Sequence, residues 1–223
     1  MKQILFIIGS LRKNSFNRQL AKAAENRISD RFEISYLDFD DVPYMNQDLE
    51  LLMGKGQKQM TDIIDKHFAE NGELEAGCHR LSDSHMSLSS DNISAINRIR
   101  QIIKNSDAIW IFTPEYNHSY PGLLKNLFDW LSRPNDVSDF TEPTVIQSKK
   151  VTVSGAGGKN KTRSCREKLN ELLEYVKMDV MKEPQSGIEL GLEAWTKGVF
   201  HLTEEQMIQL KEQAEKFAKF VEN

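Results

Sequence analysis

The fold is decided near the N-terminus by the stretch Lys2-Gln3-Ile4-Leu5-Phe6-Ile7-Ile8-Gly9-Ser10. Its central run, residues 4–8, is apolar and rich in isoleucine, which is typical of a strand covered on both faces. Apolar residues then recur at helical spacing over residues 16–28, and residues 32–37 alternate between apolar and polar. The first forty residues therefore predict a βαβ unit, the seed of a parallel sheet.

Strand and helix patterns alternate through much of the remaining chain. They comprise a helix with its apolar stripe at residues 93–103, a buried strand at 107–113, a helix that Pro121 opens, a strand at 151–154, a helix at 163–176 and a last helix after the capping-box residues 203–206. This alternation predicts an α/β doubly wound sheet, and 223 residues suit one domain.

Composition excludes several classes of partner. The chain has 29 Lys and Arg against 33 Asp and Glu, a net charge of −4, which argues against nucleic-acid binding. No apolar run approaches the roughly 20 residues of a membrane span. Two cysteines, Cys78 and Cys165, cannot form a disulfide framework and suit a reducing compartment. We expect a cytoplasmic protein that has no membrane partner.

One region interrupts the pattern. Residues 51–91 are polar and show no strand pattern, with one fair helical stretch at 60–69. Such a gap is too long for an ordinary connection, so we expect an insertion, either a lid over a site or an oligomer contact. Its Cys78 and nearby histidines match no standard zinc spacing, and we expect no metal site there.

Three strand ends carry the residues of chemical interest, and in doubly wound sheets ligands bind at that edge. The first loop, residues 9–18, is rich in hydroxyl groups and leads into a helix N-terminus, an arrangement that binds phosphate. Arg12 can add a charged, two-pronged contact. The alternative is equally open from this loop alone: Ser15 or Asn14 is a helix cap and Arg12 a solvated charge.

The other two strand ends are less specific. The second loop, residues 113–122, is bracketed by two prolines and could present backbone amides and a tyrosine ring to a planar ligand. A well-made turn explains it as readily. The glycine segment, residues 154–158, lets the backbone approach a ligand closely, or is a flexible turn before a helix.

Together the three segments are far more specific. The sequence resembles the NADPH-dependent FMN reductase family, which includes azo-, quinone- and chromate-reducing flavoenzymes. The resemblance rests on Gly9-Ser10-Leu11-Arg12 with Ser15 and Asn17-Arg18, on Pro114-Glu115-Tyr116-Asn117 with Ser119 and Pro121-Gly122, and on Leu124-Lys125-Asn126 with Asp129-Trp130 and Ser132-Arg133-Pro134.

This resemblance implies a flavodoxin-like sheet of strand order 2-1-3-4-5 and FMN bound without covalent attachment. By position, the FMN phosphate would be held by Ser10, Arg12, Ser15, Asn17 and backbone N–H groups around Phe16. The flavin ring would lie against Pro114, Glu115, Tyr116, Asn117 and Ser119, with Ser154, Gly155, Gly157 and Gly158 near its pyrimidine edge. The helix within residues 121–134 would form a homodimer or homotetramer, with Trp130 in the interface.

The activity that the resemblance implies is hydride transfer from NADPH or NADH through FMN to a small-molecule electron acceptor. The flavin would carry the chemistry, so no catalytic side chain is expected. N–H groups of the glycine segment would stabilise its reduced form. The alternatives are a flavodoxin-like electron carrier and an FMN-binding regulator, neither of which turns over substrate.

Overall fold

The computed structural model describes residues 1–53, 90–134 and 141–223. Its strands are β1 Gln3–Ile8, β2 Glu33–Tyr36, β3 Ala108–Phe112, β4 Lys150–Gly157, β5 Asp179–Met181 and β6 Gly187–Glu189. Its helices are α1 Phe16–Glu25, α2 Gln47–Met53, α3 Ser90–Asn105, α4 Gly122–Leu131, α5 Arg163–Tyr175, α6 Leu192–Lys197 and α7 Glu204–Glu222. Most of the insertion predicted at 51–91, with Cys78 and its neighbouring histidines, lies outside the described residues.

The sheet is parallel throughout and has the order β2-β1-β3-β4-β5. The predicted order is therefore confirmed. The sequence did not predict β6, which pairs with β4 over residues 155–157, beyond the last β4 residue that β5 reaches. Strand β4 thus changes its partner halfway along, and this carries the sheet past the ends of β1 and β3.

Helices cover both faces of the sheet because successive strand side chains point to opposite sides. Phe6 and Trp110 pack into the cluster under α1 and α7. Leu5, Ile109 and Val151 pack into the cluster under α3, α4 and α5. All five side chains are fully buried, which explains why β1 and β3 read as continuous apolar runs. Within the described ranges, no helix is long and apolar enough to cross a bilayer.

The point where the strand order reverses lies between β1 and β3. The chain runs from β1 to β2 on one side and then returns to place β3 on the other, so the loops after β1 and β3 diverge. Ligands bind at such a point in doubly wound sheets. The Gly9 N–H donates to the Phe112 carbonyl at 2.8 Å, which joins the starts of the two loops.

Trp130 does not contribute to an interface. Its side chain is fully buried within its own chain against Leu49 and Ile96, and its Nε1–H donates to the Pro43 carbonyl at 2.8 Å. A tryptophan on an amphipathic helix suggests an exposed hydrophobic surface, but here α2 and the segment before it cover the ring. The expectation that Trp130 forms part of a subunit interface is therefore wrong.

Candidate functional site

The first loop ends at a capped helix. Ser15 is the N-cap of α1, and its hydroxyl accepts from the Arg18 N–H at 3.1 Å. Phe16 and Asn17 occupy the next two positions, where a helix has no internal acceptor to offer. Their N–H groups have no acceptor among the described residues. The start of α1 therefore presents free donors at the positive end of the helix dipole.

Arg12 adds positive charge beside these donors. Its guanidinium lies 4.8 Å from the centre of the Phe16 ring, and it makes no ion pair within the described part of the chain. Ser10 is buried, and its hydroxyl accepts from the Arg12 N–H at 3.4 Å. The loop thus combines N–H donors, hydroxyl groups and a guanidinium, a donor set that suits a phosphate dianion.

The Asn17 side chain faces away from this set of donors. Its Oδ1 accepts from the Ala156 N–H at 2.8 Å, and its Nδ2 donates to the Ala156 carbonyl at 3.2 Å. Strand β3 pairs with β4 only as far as Ser154, so Asn17 makes the hydrogen bonds that a neighbouring strand would otherwise make. Any phosphate contact from Asn17 is left to its backbone N–H.

The second loop is a tight turn at the other side of the crevice. Tyr116 and Ser119 exchange two backbone hydrogen bonds of 3.0 Å. Asn117 and His118, between them, have φ values of 50° and 57°, the pattern of a type I′ turn. Tyr116 is 55% exposed, and Pro114 is partly buried at the base of the turn. The turn therefore combines a hydrogen-bonded backbone with an exposed tyrosine.

Glu115 within this turn has a structural partner. Its carboxylate accepts from Asn160 Nδ2 at 2.8 Å and from the Cys165 N–H, in the first turn of α5, at 3.0 Å. Burial alone would raise the pKa of Glu115, but these hydrogen bonds, with His118 nearby, lower it below its ordinary value. The side chain is therefore an ionised cap of α5.

Cys165 is not a reactive thiol. It is fully buried, and its sulfur lies 3.3 Å from the Pro114 carbonyl. Burial raises the pKa of the thiol to about 12, because no environment near it favours the thiolate enough to compensate. The thiol helps to pack the second loop against α5.

The glycine segment is a strand and not the predicted loop. Strand β4 continues to Gly157, and Ser154 is buried, with its hydroxyl bonded to Trp110 Nε1 and to Gln213 Oε1. A Cβ at Gly155 would lie 2.2 Å from Thr162 Oγ1, and the Gly155 N–H already donates to Ser186. A glycine is required at position 155 because the Thr162 side chain packs directly against its backbone, and not because the segment is a flexible loop. Within the segment, the exposed residue at the ligand-bearing edge is Gly158.

One wall of the site escaped the sequence analysis. The Leu190 N–H donates to the Gly157 carbonyl at 2.9 Å, which fixes the chain just before α6 to the end of β4. Trp195 on α6 is 61% exposed, and its ring centre lies 6.2 Å from that of Phe16. Gly191 and Gly198, which bracket this short helix, were the signal that could have located it.

The described residues fit FMN. The donor set of the first loop matches a phosphate, the second loop offers a rigid edge for a flat ring, and both lie at the reversal of strand order. The fit differs from the expectation in three residues. Asn17 and Glu115 use their side chains within the fold, and Ser154 is buried beneath the site.

Comparison with known proteins identifies a family. Residues 2–193 match the family model for NADPH-dependent FMN reductase. The chain is 30% identical to the 2-hydroxy-1,4-benzoquinone reductase of a Burkholderia species over 132 residues, 59% of this chain and 51% of that protein. It is 26% identical to the quinone reductase of Escherichia coli K12 over 184 residues, 82% of this chain and 75% of that protein.

A solved structure is similar over the whole chain. The flavoenzyme NAD(P)H:(acceptor) oxidoreductase FerB from Paracoccus denitrificans matches with a TM-score of 0.70 at 24% sequence identity. The match covers 100% of this chain and 98% of the FerB chain. At that identity the likeness supports the fold alone. The match to the family model extends from β1 into α6 and includes all three segments of the site. The chain belongs to the NADPH-dependent FMN reductase family.

Proposed function

We propose that this protein is an FMN-dependent oxidoreductase that passes hydride from NADPH or NADH through non-covalently bound FMN to a small acceptor. The acceptor would be a quinone, an azo compound, a free flavin or a metal oxyanion. The observation that carries the proposal is the group of hydrogen-bond donors in the first loop, which contains no Asp or Glu. This group lies beside the second loop, at the reversal of strand order. The quinone reductases among the relatives favour a quinone.

The phosphate would be held at the start of α1. Phe16 and Asn17 supply backbone N–H groups, Ser10 and Ser15 supply hydroxyl groups, and Arg12 supplies charge from its position over the Phe16 ring. Because the donors are fixed before the ligand arrives, little conformational entropy is lost when it binds. The ribityl chain would then lead the ring into the crevice.

The ring would lie against the second loop. The backbone of Pro114, Glu115, Tyr116 and Asn117, with Ser119, forms the rigid edge, and Gly157 and Gly158 lie at the neighbouring strand end. Bound FMN supplies the hydride chemistry. The protein orients the ring, offers backbone N–H donors to it and keeps one face accessible, so no side-chain acid or base is required.

We also propose that the protein is a cytoplasmic single domain that forms a homodimer or homotetramer through residues 121–134. With Trp130 buried, the candidates for contact on α4 are the partly buried Leu123 and the surface ion pair between Lys125 and Asp129. Light scattering after size-exclusion chromatography should give a dimer or tetramer, and Leu123→Glu should reduce its mass. A monomeric wild-type protein would refute the subunit proposal.

The test of function is steady-state kinetics of the purified, FMN-loaded protein with NADPH or NADH and a quinone. Because both substrates would use the same exposed ring face in turn, double-reciprocal plots at several quinone concentrations should be parallel. A protein that holds FMN but oxidises neither nucleotide would instead be a flavodoxin-like carrier or a regulator. Intersecting lines would show that both substrates bind together and would contradict the shared face.

A further inference from the structure

A cavity adjoins the first loop beside α1. There, residues 13–15, the exposed face of α1 and the segment 198–207 enclose a cavity of about 810 Å³. This volume falls within the range of about 300–1,000 Å³ that is usual for small-molecule sites. We call this cavity the α1 groove. None of the roles assigned above requires it.

The groove is cationic in an acidic protein. Lys13, Arg18 and Lys22 line it, and no Asp or Glu is among its described lining residues, although the chain carries a net charge of −4. Lys22 is 2.8 Å from the Glu25 carboxylate, which partly compensates its charge. Lys13 and Arg18 make no ion pair within the described part of the chain. The groove is therefore complementary to an anion.

The opposite wall is apolar. Phe200, Leu202 and Met207 form it, and the Phe200 ring stacks on the Phe16 ring with 6.1 Å between centres and 28° between planes. The Arg12 guanidinium and the Trp195 ring also lie against Phe16. A simple inorganic anion would make no use of such a wall. A cationic edge that faces an apolar wall suits a ligand with a phosphate and a flat heteroaromatic ring.

We infer that the α1 groove binds the 2′-phosphorylated adenosine end of NADPH and makes the enzyme prefer NADPH to NADH. The inference rests on the proposed function, which supplies a nicotinamide nucleotide at the adjoining flavin site. Ser15 belongs to both sites, so a dinucleotide that lies along the bound flavin would reach the groove. NADPH differs from NADH by one phosphate, and the groups that would recognise it are Lys13 and Arg18, which have no ion-pair partner among residues 1–53, 90–134 and 141–223.

The first test measures binding without turnover. Isothermal titration of the FMN-loaded protein with adenosine 2′,5′-bisphosphate and with AMP should show about tenfold or tighter binding of the bisphosphate, since each charged hydrogen bond contributes to that extent. Arg18→Ala should remove most of the difference, and Arg18→Lys should retain part of it. Arg163→Ala, which removes an exposed arginine from the first turn of another helix, should leave the difference intact.

Equal binding of the two nucleotides, or a preference that survives Arg18→Ala, would overturn the inference. The inference would also be overturned if inorganic phosphate displaced the bisphosphate and bound as tightly as it does. The adenine would then contribute nothing to binding, and the apolar wall would have no role.

The second test separates this inference from the proposed function. The ratio of kcat/KM for NADPH to that for NADH should fall about tenfold in Arg18→Ala, while the Kd for FMN remains unchanged. Turnover with equal kcat/KM for both nucleotides in the wild type would overturn the inference and leave the proposed function standing. Failure to oxidise either nucleotide would refute the proposed function, and the inference would fail with it.

Discussion

Asn17→Ala should destabilise the protein even when no flavin is present. Asn17 is 2% exposed, and its side chain makes hydrogen bonds to both the N–H and the carbonyl of Ala156. At this position β4 extends beyond the end of β3. The substitution leaves two buried backbone groups without partners, and each such group costs about 1–3 kcal/mol. We therefore expect the free energy of unfolding to fall by about 3 kcal/mol, a large part of the total for a single domain.

The assay is urea denaturation of the flavin-free protein, followed by circular dichroism, with Asn14→Ala as the control. Asn14 is an exposed asparagine of the same loop, and its replacement should change the free energy of unfolding by less than about 0.5 kcal/mol. If Asn17 acted instead through its side chain on the phosphate, Asn17→Ala would weaken FMN binding and leave the stability of the flavin-free protein unchanged. A loss of stability below about 1 kcal/mol would refute the structural role.

Three further substitutions test other parts of the site. Arg12→Ala should weaken FMN binding by about tenfold or more, because a charged hydrogen bond to phosphate contributes roughly 1.5–3 kcal/mol; fluorescence titration measures it. Gly155→Ala should lower the free energy of unfolding by about 1–3 kcal/mol, since a Cβ would lie 2.2 Å from Thr162 Oγ1. Glu115 has a pKa lowered from 4.5, so its stabilisation is present above that pH and is lost as the pH falls below it. In Glu115→Gln, the free energy of unfolding, measured by urea denaturation at several pH values, should therefore fall less between neutral and acidic pH than in the wild type.

Each of these three tests has its own comparison. Arg31→Ala removes an exposed arginine that pairs with Glu222, and it should leave FMN affinity unchanged. An equal loss in both arginine variants would mean that bulk charge, and not a contact, sets the affinity. Gly158→Ala places a Cβ in open space, so similar destabilisation at both glycines would contradict the packing argument. Parallel acid profiles for wild type and Glu115→Gln would show that this carboxylate does not cap α5.

The sequence predicted the elements that carry their own pattern. β1 and β3 are buried on both faces and therefore appear as unbroken apolar runs. The final helix begins at Glu204, and Thr203 is its N-cap in the capping box that the sequence indicated. β5 and β6 have three residues each and no such pattern. They form because β4 offers them backbone partners, and this depends on tertiary structure.

The sequence predicted which loops lie at the site, but it did not predict the contacts that the side chains in those loops make. A spacing of residues shows that Asn17 and Glu115 lie in loops at the right edge, but it does not show where their side chains point. In the structure Asn17 completes the hydrogen bonding of Ala156, and Glu115 caps α5. Glycines at 155 and 157 suggest a loop, whereas close packing of Thr162 requires them in a strand. Such contacts join segments that are distant in sequence, so periodicity cannot reveal them.

The central claim is that one bound flavin accepts hydride from a nicotinamide nucleotide and passes it to a small acceptor. Anaerobic absorbance spectroscopy of the FMN-loaded protein tests this most directly, with one equivalent of NADPH added first and one equivalent of a quinone second. We predict that the visible flavin absorbance is lost on the first addition and returns on the second, both within the mixing time of a manual experiment. A flavin spectrum that NADPH leaves unchanged, or a reduced protein that the quinone does not reoxidise, would contradict the claim.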